Sequence, residues 1–203
     1  PMPVHAPRMK SKLARAAFKL FAQRGIRGVN LDAVAAAAGV TKGSLYWHYR
    51  SKKELLHAAC EYYYRRWRQK ARAEIARDDD PLAQLERVLR FSVDSCLFDR
   101  ENRVFTTEVF ALSLQDKEIR AGWARFYDNV RNLFIELVQA ACDQGRLQVD
   151  DPRRAVDWML AAIEGIKQRA AFEPEICTTE HREVTVRGLL RIVGTIDSLG
   201  NQT

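Results

Sequence analysis

The sequence predicts an all-α protein, and three observations carry this prediction. The chain of 203 residues contains only 10 glycines and 6 prolines, so helix-breaking residues are sparse. Alanine, leucine, arginine and glutamate, which favour helices, dominate the composition. No stretch of convincing length alternates apolar and polar residues as a half-buried strand does. At this length the chain can bury a core as one or two domains.

The first helices are marked by apolar spacing and by signals at their ends. From about Arg8, apolar residues recur at helical spacing until Gly25, which stands where a glycine commonly ends a helix. Asn30 can cap a second helix that runs through a series of alanines. Gly39 then supplies a tight turn, and Thr41 can cap a short third helix. Two short helices joined by a glycine-containing turn are typical of a helix-turn-helix.

The remaining sequence predicts six further helices, about nine in all. Ser51, with Glu54 three residues later, forms a capping box that starts the fourth helix. Asp80-Pro81 and Asp151-Pro152 each place a capping residue before a proline at the first helical position. The ninth helix is expected to run from about residue 178 to 199. No apolar run reaches the roughly 18 residues of a membrane span.

Charge is distributed unevenly along the chain. Residues 1–80 hold 17 Lys and Arg against 7 Asp and Glu, whereas the remainder holds 16 against 19. A basic first part indicates a surface that binds a polyanion such as double-stranded DNA, although a merely solvated basic surface has the same composition. The four cysteines lie far apart along the chain and form no C-x-x-C pair. We therefore expect reduced thiols, no metal site and no cofactor.

The predicted third helix carries the residues best suited to contact DNA. In a helix-turn-helix the second helix enters the major groove with its N-terminal residues leading. Hydroxyl and backbone N–H groups at its start can bind a phosphate, a lysine can reach a base edge, and a glycine allows close approach. Leu45 and Tyr49, four residues apart, should anchor the helix to its own domain. The residues predicted to reach DNA on these grounds are Thr41, Lys42, Gly43, Ser44, Tyr46, His48 and Lys52.

Residues 26–56 resemble the DNA-binding domain of the TetR family of bacterial transcriptional regulators. The family's succession A-G-V, [ST]-K-G, [ST]-L-Y-x-H-[FY] and x-[ST]-K-x-x-L is met in order across Ala38–Leu55. The sequence departs from the family at Ala33, where many members carry an acidic residue, and at Asn30, where many carry threonine. For Trp47, packing over the support helices remains an alternative to a DNA contact. The resemblance implies DNA contacts for Asn30, Thr41, Lys42, Gly43, Tyr46, Trp47, His48 and Lys52.

The predicted eighth and ninth helices are apolar nearly all round. Such a helix is buried either by its own chain or by a partner, and the last helix is not expected at the centre of a monomer. We therefore expect a two-fold homodimer through these helices, and the resemblance implies the same four-helix interface. Gly165 and Gly188 would permit close approach there. The residues predicted to form the interface are Ile163, Ile166, Val186, Leu189, Leu190 and Val193.

The aromatic residues of the later helices suggest either a ligand cavity or an ordinary core. The resemblance implies a small-molecule sensor, and rings of this kind commonly line an apolar cavity. Glu108 and Glu164 stand on otherwise apolar surfaces and are candidates for polar ligand contacts, with an ion pair to arginine as the alternative. The residues predicted to bind a ligand are Phe105, Glu108, Trp123, Phe126, Tyr127, Trp158 and Glu164.

Together these features predict a cytoplasmic bacterial regulator, nucleoid-associated when bound to DNA. We expect a disordered segment at 1–7, a helix-turn-helix domain at 8–50, and a ligand-sensing and dimerisation domain at 51–203. The expected function is that of a homodimeric repressor, released from a palindromic operator by a small-molecule inducer. The alternative is a helical protein that binds DNA or a partner without such a ligand. Catalytic residues are not predicted, because no P-loop, G-x-S-x-G or H-E-x-x-H motif is present.

Overall fold

The computed structural model describes residues 5–196, which are mostly helical and confirm the all-α class. A π-helical turn at Asp94–Phe98 follows α5, and a 3₁₀ turn at Pro174–Cys177 precedes α9. Within the described range, none of the helices has the length and apolar character needed to cross a membrane. The helices of that range are α1 (His5–Arg24), α2 (Leu31–Ala37), α3 (Lys42–His48), α4 (Lys52–Ile75), α5 (Pro81–Val93), α6 (Arg100–Ser113), α7 (Lys117–Asp143), α8 (Pro152–Arg169) and α9 (Thr179–Val193).

The helix boundaries largely follow the capping residues that the sequence predicts. The side chains of Asn30, Asp80 and Asp151 each accept a hydrogen bond from the backbone N–H three residues later, at 2.8, 3.3 and 3.0 Å. Each bond satisfies a donor that the first helical turn leaves unpaired. Gly25 adopts a φ of 75° and Gly145 a φ of 68°, the left-handed conformation that commonly ends a helix.

The first helix begins earlier than expected. It starts at His5, so residues 5–7 of the predicted disordered segment are helical. Residues 1–4 lie outside the described part of the chain.

The last helix is shorter than expected. It ends at Val193 rather than near residue 199, because the chain turns extended at Gly194 and enters β2 (Thr195–Ile196). This strand pairs antiparallel with β1 (Leu147–Gln148). A Cβ at Gly194 would lie 2.6 Å from the backbone oxygen of Gln148, so the glycine permits the two segments to approach. Residues 197–199 lie outside the described part.

The chain divides into two compact units. The first unit comprises the residues up to Gln69 together with Arg100–Ala124, and the second comprises Lys70–Asp99 together with the residues from Arg125 onward. The first unit therefore contains α6 as well as α1 to α3. The rings of Phe105 in α6 and Phe18 in α1 meet at 4.9 Å, which gives these helices a common core. The boundary after residue 50 stays a prediction about domains.

Each unit has its own apolar core. In the first unit the fully buried side chains include Leu13, Phe18, Phe21, Leu45 and Phe105. In the second they include Leu85, Leu89, Phe134, Met159 and Leu189. Burial of this kind is the main favourable contribution to the folding of each unit.

Candidate nucleic-acid interface

The short helix α3 begins at the cap that the sequence predicts. Thr41 is extended, and its Oγ1 accepts a hydrogen bond from the backbone N–H of Ser44 at 3.2 Å. A seven-residue helix has little stability alone, so its position depends on the helices around it.

One face of α3 is held firmly in the first unit. Leu45 is fully buried and Tyr49 nearly so, which confirms the predicted anchor pair. The Tyr49 hydroxyl also donates to the backbone oxygen of Lys10 in α1 at 3.3 Å. Burial raises the pKa of the Tyr49 phenol, so the hydroxyl stays a donor at neutral pH. These contacts join α3 to α1.

The opposite face of α3 carries large exposed side chains. Trp47 is 70% exposed and Tyr46 is 48% exposed. The exposure of Trp47 argues against its covering the support helices. An added Cβ at Gly43 would meet nothing within 4 Å, so packing within the described chain does not require a glycine at this position. A flat, open helix surface flanked by aromatic side chains is suited to contact a groove.

Lys42 has a partner that the sequence did not indicate. Its Nζ lies 2.6 Å from Oδ2 of Asp32, which stands in the first turn of α2. The hydrogen bond to this carboxylate raises the pKa of Lys42, so the ammonium group stays charged. The Lys42 side chain is 68% exposed and that of Asp32 is 43% exposed, so the pair lies at the surface. The ten-residue separation of the pair crosses the turn between α2 and α3.

His48 lies at the end of α3 and is half-buried. Its Nδ1 is buried without a hydrogen-bond partner in the part of the chain that is described, and its ring meets that of Trp47 edge-on at 4.6 Å. Burial and the charge of Lys10 lower the pKa of His48. The ring is therefore neutral at pH 7 and adds no cation to this surface.

Two predicted contact residues support neighbouring segments in the structure. The Asn30 side chain caps α2, and the Nζ of Lys52 donates to the backbone oxygen of Arg27 at 3.2 Å. This hydrogen bond joins the start of α4 to the turn between α1 and α2. Thr41, Lys42, Gly43, Tyr46 and Trp47 are exposed on or beside α3, whereas Ser44 is half-buried.

Comparison with known proteins identifies the family to which this chain belongs. The family model described as "Bacterial regulatory proteins, tetR family" matches residues 13–59. The model described as "BetI-type transcriptional repressor, C-terminal" matches residues 81–193. The chain belongs to the TetR family.

Relatives and structures of similar fold agree with this assignment. The TetR-family chain is 30% identical over 182 residues to the transcriptional regulator TtgR of Pseudomonas putida, across 84% of this chain and 83% of that one. It is 25% identical over 167 residues to AcrR of Shigella flexneri, across 78% and 76% of the two chains. The fold matches a transcriptional regulator from Saccharomonospora viridis in complex with choline, with a TM-score of 0.82, 18% identity, and coverage of 91% and 96%. These relatives are regulators of transcription and not enzymes.

The residues predicted to bind a ligand are divided between the two units of this TetR-family protein. Phe105, Glu108 and Trp123 belong to the first unit. Phe105 is fully buried, and Trp123 meets the ring of Tyr64 at 6.1 Å. The Glu108 carboxylate accepts a hydrogen bond from the backbone N–H of Ile26 at 2.5 Å. These three residues have packing or structural contacts within the first unit.

The other predicted ligand residues belong to the second unit. Phe126 is buried and Tyr127 half-buried, whereas Trp158 is 65% exposed on α8. The Oε2 of Glu164 lies 2.6 Å from the Nζ of Lys167, whose side chain is only 1% exposed. The partner of Glu164 is therefore a buried lysine one turn further along α8, and not an arginine.

The residues predicted for the dimer interface are mostly buried inside one chain. Ile163, Val186, Leu189, Leu190 and Val193 are buried within the second unit, and Ile166 is half-buried. The exposed apolar residues of α8 and α9 are instead Trp158, Val184 and Ile192. On α9, Val184, Gly188 and Ile192 recur every fourth residue, which places them on a different face from Val186 and Val193. This spacing in the sequence could have indicated the exposed face.

The first prediction concerns Gly43. Gly43→Ala is expected to stabilise the free protein by up to about 1 kcal/mol, because alanine favours a helix and the added methyl meets open space. The same methyl should weaken DNA binding, because it prevents close approach of α3. Urea unfolding and DNA titration measure the two effects. A variant that binds DNA as tightly as the wild type would contradict the prediction.

Proposed function

We propose that this TetR-family protein is a homodimeric repressor, which binds a palindromic operator and is released by a small-molecule inducer. The observation that supports groove binding is the exposed face of α3, formed by Gly43, Tyr46 and Trp47 and opposed by a buried anchor. We place the protein in the bacterial cytoplasm, on the nucleoid when it is bound to DNA.

In the proposed complex α3 lies in the major groove with its N-terminal end leading. Lys42 exchanges Asp32 for a phosphate or a base edge, while Tyr46 and Trp47 contact sugar and base edges. Thr41 and Asn30 stand at the starts of α3 and α2, where backbone N–H groups favour phosphate. Ser44, Gly43 and His48 complete the predicted contact set, and Lys52 supports it through the turn at Arg27.

The homodimer is proposed to form through the exposed apolar side chains of α8 and α9. TetR-family regulators act as dimers, and a two-fold interface repeats the same patch on both protomers. Trp158, Val184 and Ile192 supply apolar surface, and nothing lies within 4 Å of a Cβ added at Gly165 or Gly188. These open glycines permit a close approach of helices from two protomers. Two α3 helices related by the two-fold axis would then contact half-sites about one helical turn apart.

The operator is tested by selection from a random DNA library, followed by insertion of five base pairs between the two half-sites. The insertion turns the second half-site to the opposite side of the duplex, so the affinity of the full-length protein is expected to fall. Insertion of a whole helical turn is the control for lengthening alone. Equal binding to all three sites would contradict simultaneous binding by a two-fold dimer.

The inducer is tested by screening small molecules on the full-length protein for two effects together. A ligand that binds the DNA-free protein more tightly than the DNA-bound protein must stabilise the free protein against heat and also release it from DNA. The ligand-free alternative predicts that no compound produces both effects. A compound that stabilises the protein and leaves its DNA affinity unchanged is not an inducer.

The second prediction concerns Gly188. Gly188→Leu should leave the protomer folded, because the position is open, but should weaken self-association by at least about tenfold through overpacking. Sedimentation of the variant at graded concentrations measures this change. Ala121→Leu adds the same side chain at an exposed position of α7 and should associate like the wild type. Unchanged association of Gly188→Leu would remove α9 from the proposed interface.

A further inference from the structure

A cleft in the first unit lies beside the turn that joins α1 to α2. Its volume is about 500 Å³. One wall is formed by the residues of the turn, Arg24 to Gly28, and the other by residues of α6 and the segment that follows it. The second wall consists of Glu108, Ala111, Leu112, Leu114 and Gln115. All of these residues belong to the first unit, which also carries α3.

The two walls differ in chemistry. Arg24 and Arg27 are exposed, and neither guanidinium has an ion-pair partner among the residues that the structure describes. Leu112 and Leu114 form the apolar part of the second wall, and Leu114 is among the exposed large apolar residues of the described chain. Two arginines and one glutamate give the lining a net charge of one positive unit. The cleft therefore combines a positively charged side with an apolar side.

The second wall of the cleft itself contributes a carboxylate, that of Glu108. The Glu108 side chain accepts a hydrogen bond from the backbone N–H of Ile26 at 2.5 Å. Gly25 has a φ of 75°, and a Cβ at this position would lie 2.8 Å from Oε1 of Glu108. The left-handed φ favours a glycine at this position, and an added side chain would also require the Glu108 carboxylate to shift. A carboxylate beside the C-terminal end of α1 opposes the helix dipole, so nearby cations favour its placement.

We propose that this cleft is a ligand site for a small amphipathic carboxylate. The ligand's carboxylate binds the guanidinium groups of Arg24 and Arg27, and its hydrocarbon part packs on Leu112 and Leu114. Arginine suits this role because its planar donors pair with both oxygens of a carboxylate. The site lies in the first unit and is separate from any inducer site in the second unit. It does not depend on the proposed repressor function, because binding is measured without DNA.

The choice of a single carboxylate follows from charge and shape. A dianion such as phosphate has no hydrocarbon part to cover the apolar wall, and Glu108 opposes a second negative charge in the cleft. A neutral alcohol of the same length covers the wall but leaves both guanidinium groups without an anion. The apolar and the charged contacts should therefore both be needed.

Octanoate is the probe. Octan-1-ol has the hydrocarbon chain without the carboxylate, and acetate has the carboxylate without the long chain. Amide ¹H–¹⁵N spectra of the deuterated full-length protein are recorded during titration with each compound. Octanoate is expected to produce saturable shifts at Gly25, Ile26 and Gly28, whereas the other two compounds bind there at least about tenfold more weakly.

The paired variant Arg24→Ala/Arg27→Ala is expected to weaken octanoate binding by at least about tenfold, through loss of the charge-assisted hydrogen bonds. Arg72→Ala/Arg125→Ala removes two exposed arginines outside the cleft and should bind like the wild type. Thermal unfolding of both paired variants shows whether the fold is retained.

Three results would overturn the proposal. If octanoate shifted only signals of the second unit, the ligand would bind outside the cleft. If octan-1-ol bound as tightly as octanoate, the carboxylate would not contribute to binding. Unchanged octanoate binding by the folded Arg24→Ala/Arg27→Ala variant would show that the two arginines do not bind the carboxylate. If that variant also lost DNA affinity and showed a shallower salt dependence, the arginines would be assigned to DNA phosphate contacts.

Discussion

Replacing Lys42 and Tyr46 together by alanine is expected to weaken operator binding by about a hundredfold to ten-thousandfold, because each lost contact with a base or phosphate costs about tenfold to a hundredfold. Both side chains are exposed on α3. Their loss removes two DNA contacts without opening a cavity in the first unit. The free variant should therefore unfold at nearly the wild-type urea concentration.

The salt dependence of binding separates the two possible roles of Lys42. If its ammonium group neutralises a phosphate, Lys42→Ala alone should reduce the slope of log affinity against log salt by about 0.9. If it reads a base edge, the variant should lose sequence preference instead. Affinity measured at graded salt on the operator and on a scrambled duplex decides between them.

Two control variants sharpen this experiment. Asp32→Asn removes the resting partner of Lys42 and should leave DNA affinity unchanged or higher, because the ammonium group becomes free and a repelling carboxylate is lost. Lys117→Ala removes an exposed lysine at the start of α7 and should bind like the wild type. Near-wild-type operator binding by Lys42→Ala/Tyr46→Ala would refute the assignment of α3 as the groove-binding helix.

Phe105→Ala is expected to destabilise the protein by about 3 to 5 kcal/mol, the cost of a cavity left by a buried phenylalanine. Phe105 is fully buried, and its ring meets Phe18 at 4.9 Å and Tyr63 at 6.0 Å. Alanine would leave a void that these rings can fill only in part. Because Phe18 lies in α1 and Tyr63 in α4, the loss should loosen the helices that support α3.

The control for this prediction lies on the same helix. Phe110 is 40% exposed, so Phe110→Ala should change the free energy of unfolding by less than about 1 kcal/mol. Urea unfolding curves of both variants, fitted with a common slope, give the comparison. Phe105 was predicted from sequence to line a ligand cavity. A Phe105→Ala variant of wild-type stability but altered ligand response would support that prediction over the structural role.

Several parts of the fold could be predicted from local sequence alone. Asn30, Thr41, Asp80 and Asp151 accept the capping hydrogen bonds expected of them. In each case the cap and its donor are three residues apart, so the pattern is visible in a short window. The anchor pair of α3 could be predicted for the same reason, since Leu45 lies four residues before Tyr49.

The sequence indicated less about which residues meet at long range. Glu108 and Ile26 are 82 residues apart, and no local pattern pairs an α6 carboxylate with the turn after α1. The predicted contact of Glu108 with a ligand rested on its apolar neighbours along the chain. The partner of Lys42 was also missed, because Asp32 stands on a different helix.

The amino-acid order by itself determined the helical class, the capped starts of α2, α3, α5 and α8, and the pair that anchors α3. Only the tertiary structure decided which face of each apolar helix is buried. On α8 and α9 apolar residues occur on several faces, and the structure buries Ile163, Leu189 and Val193 while exposing Trp158 and Ile192. The physical reason is that hydrogen bonds within a helix join residues three or four positions apart. Burial instead depends on which distant segment packs against each face, and a local sequence pattern does not contain that information.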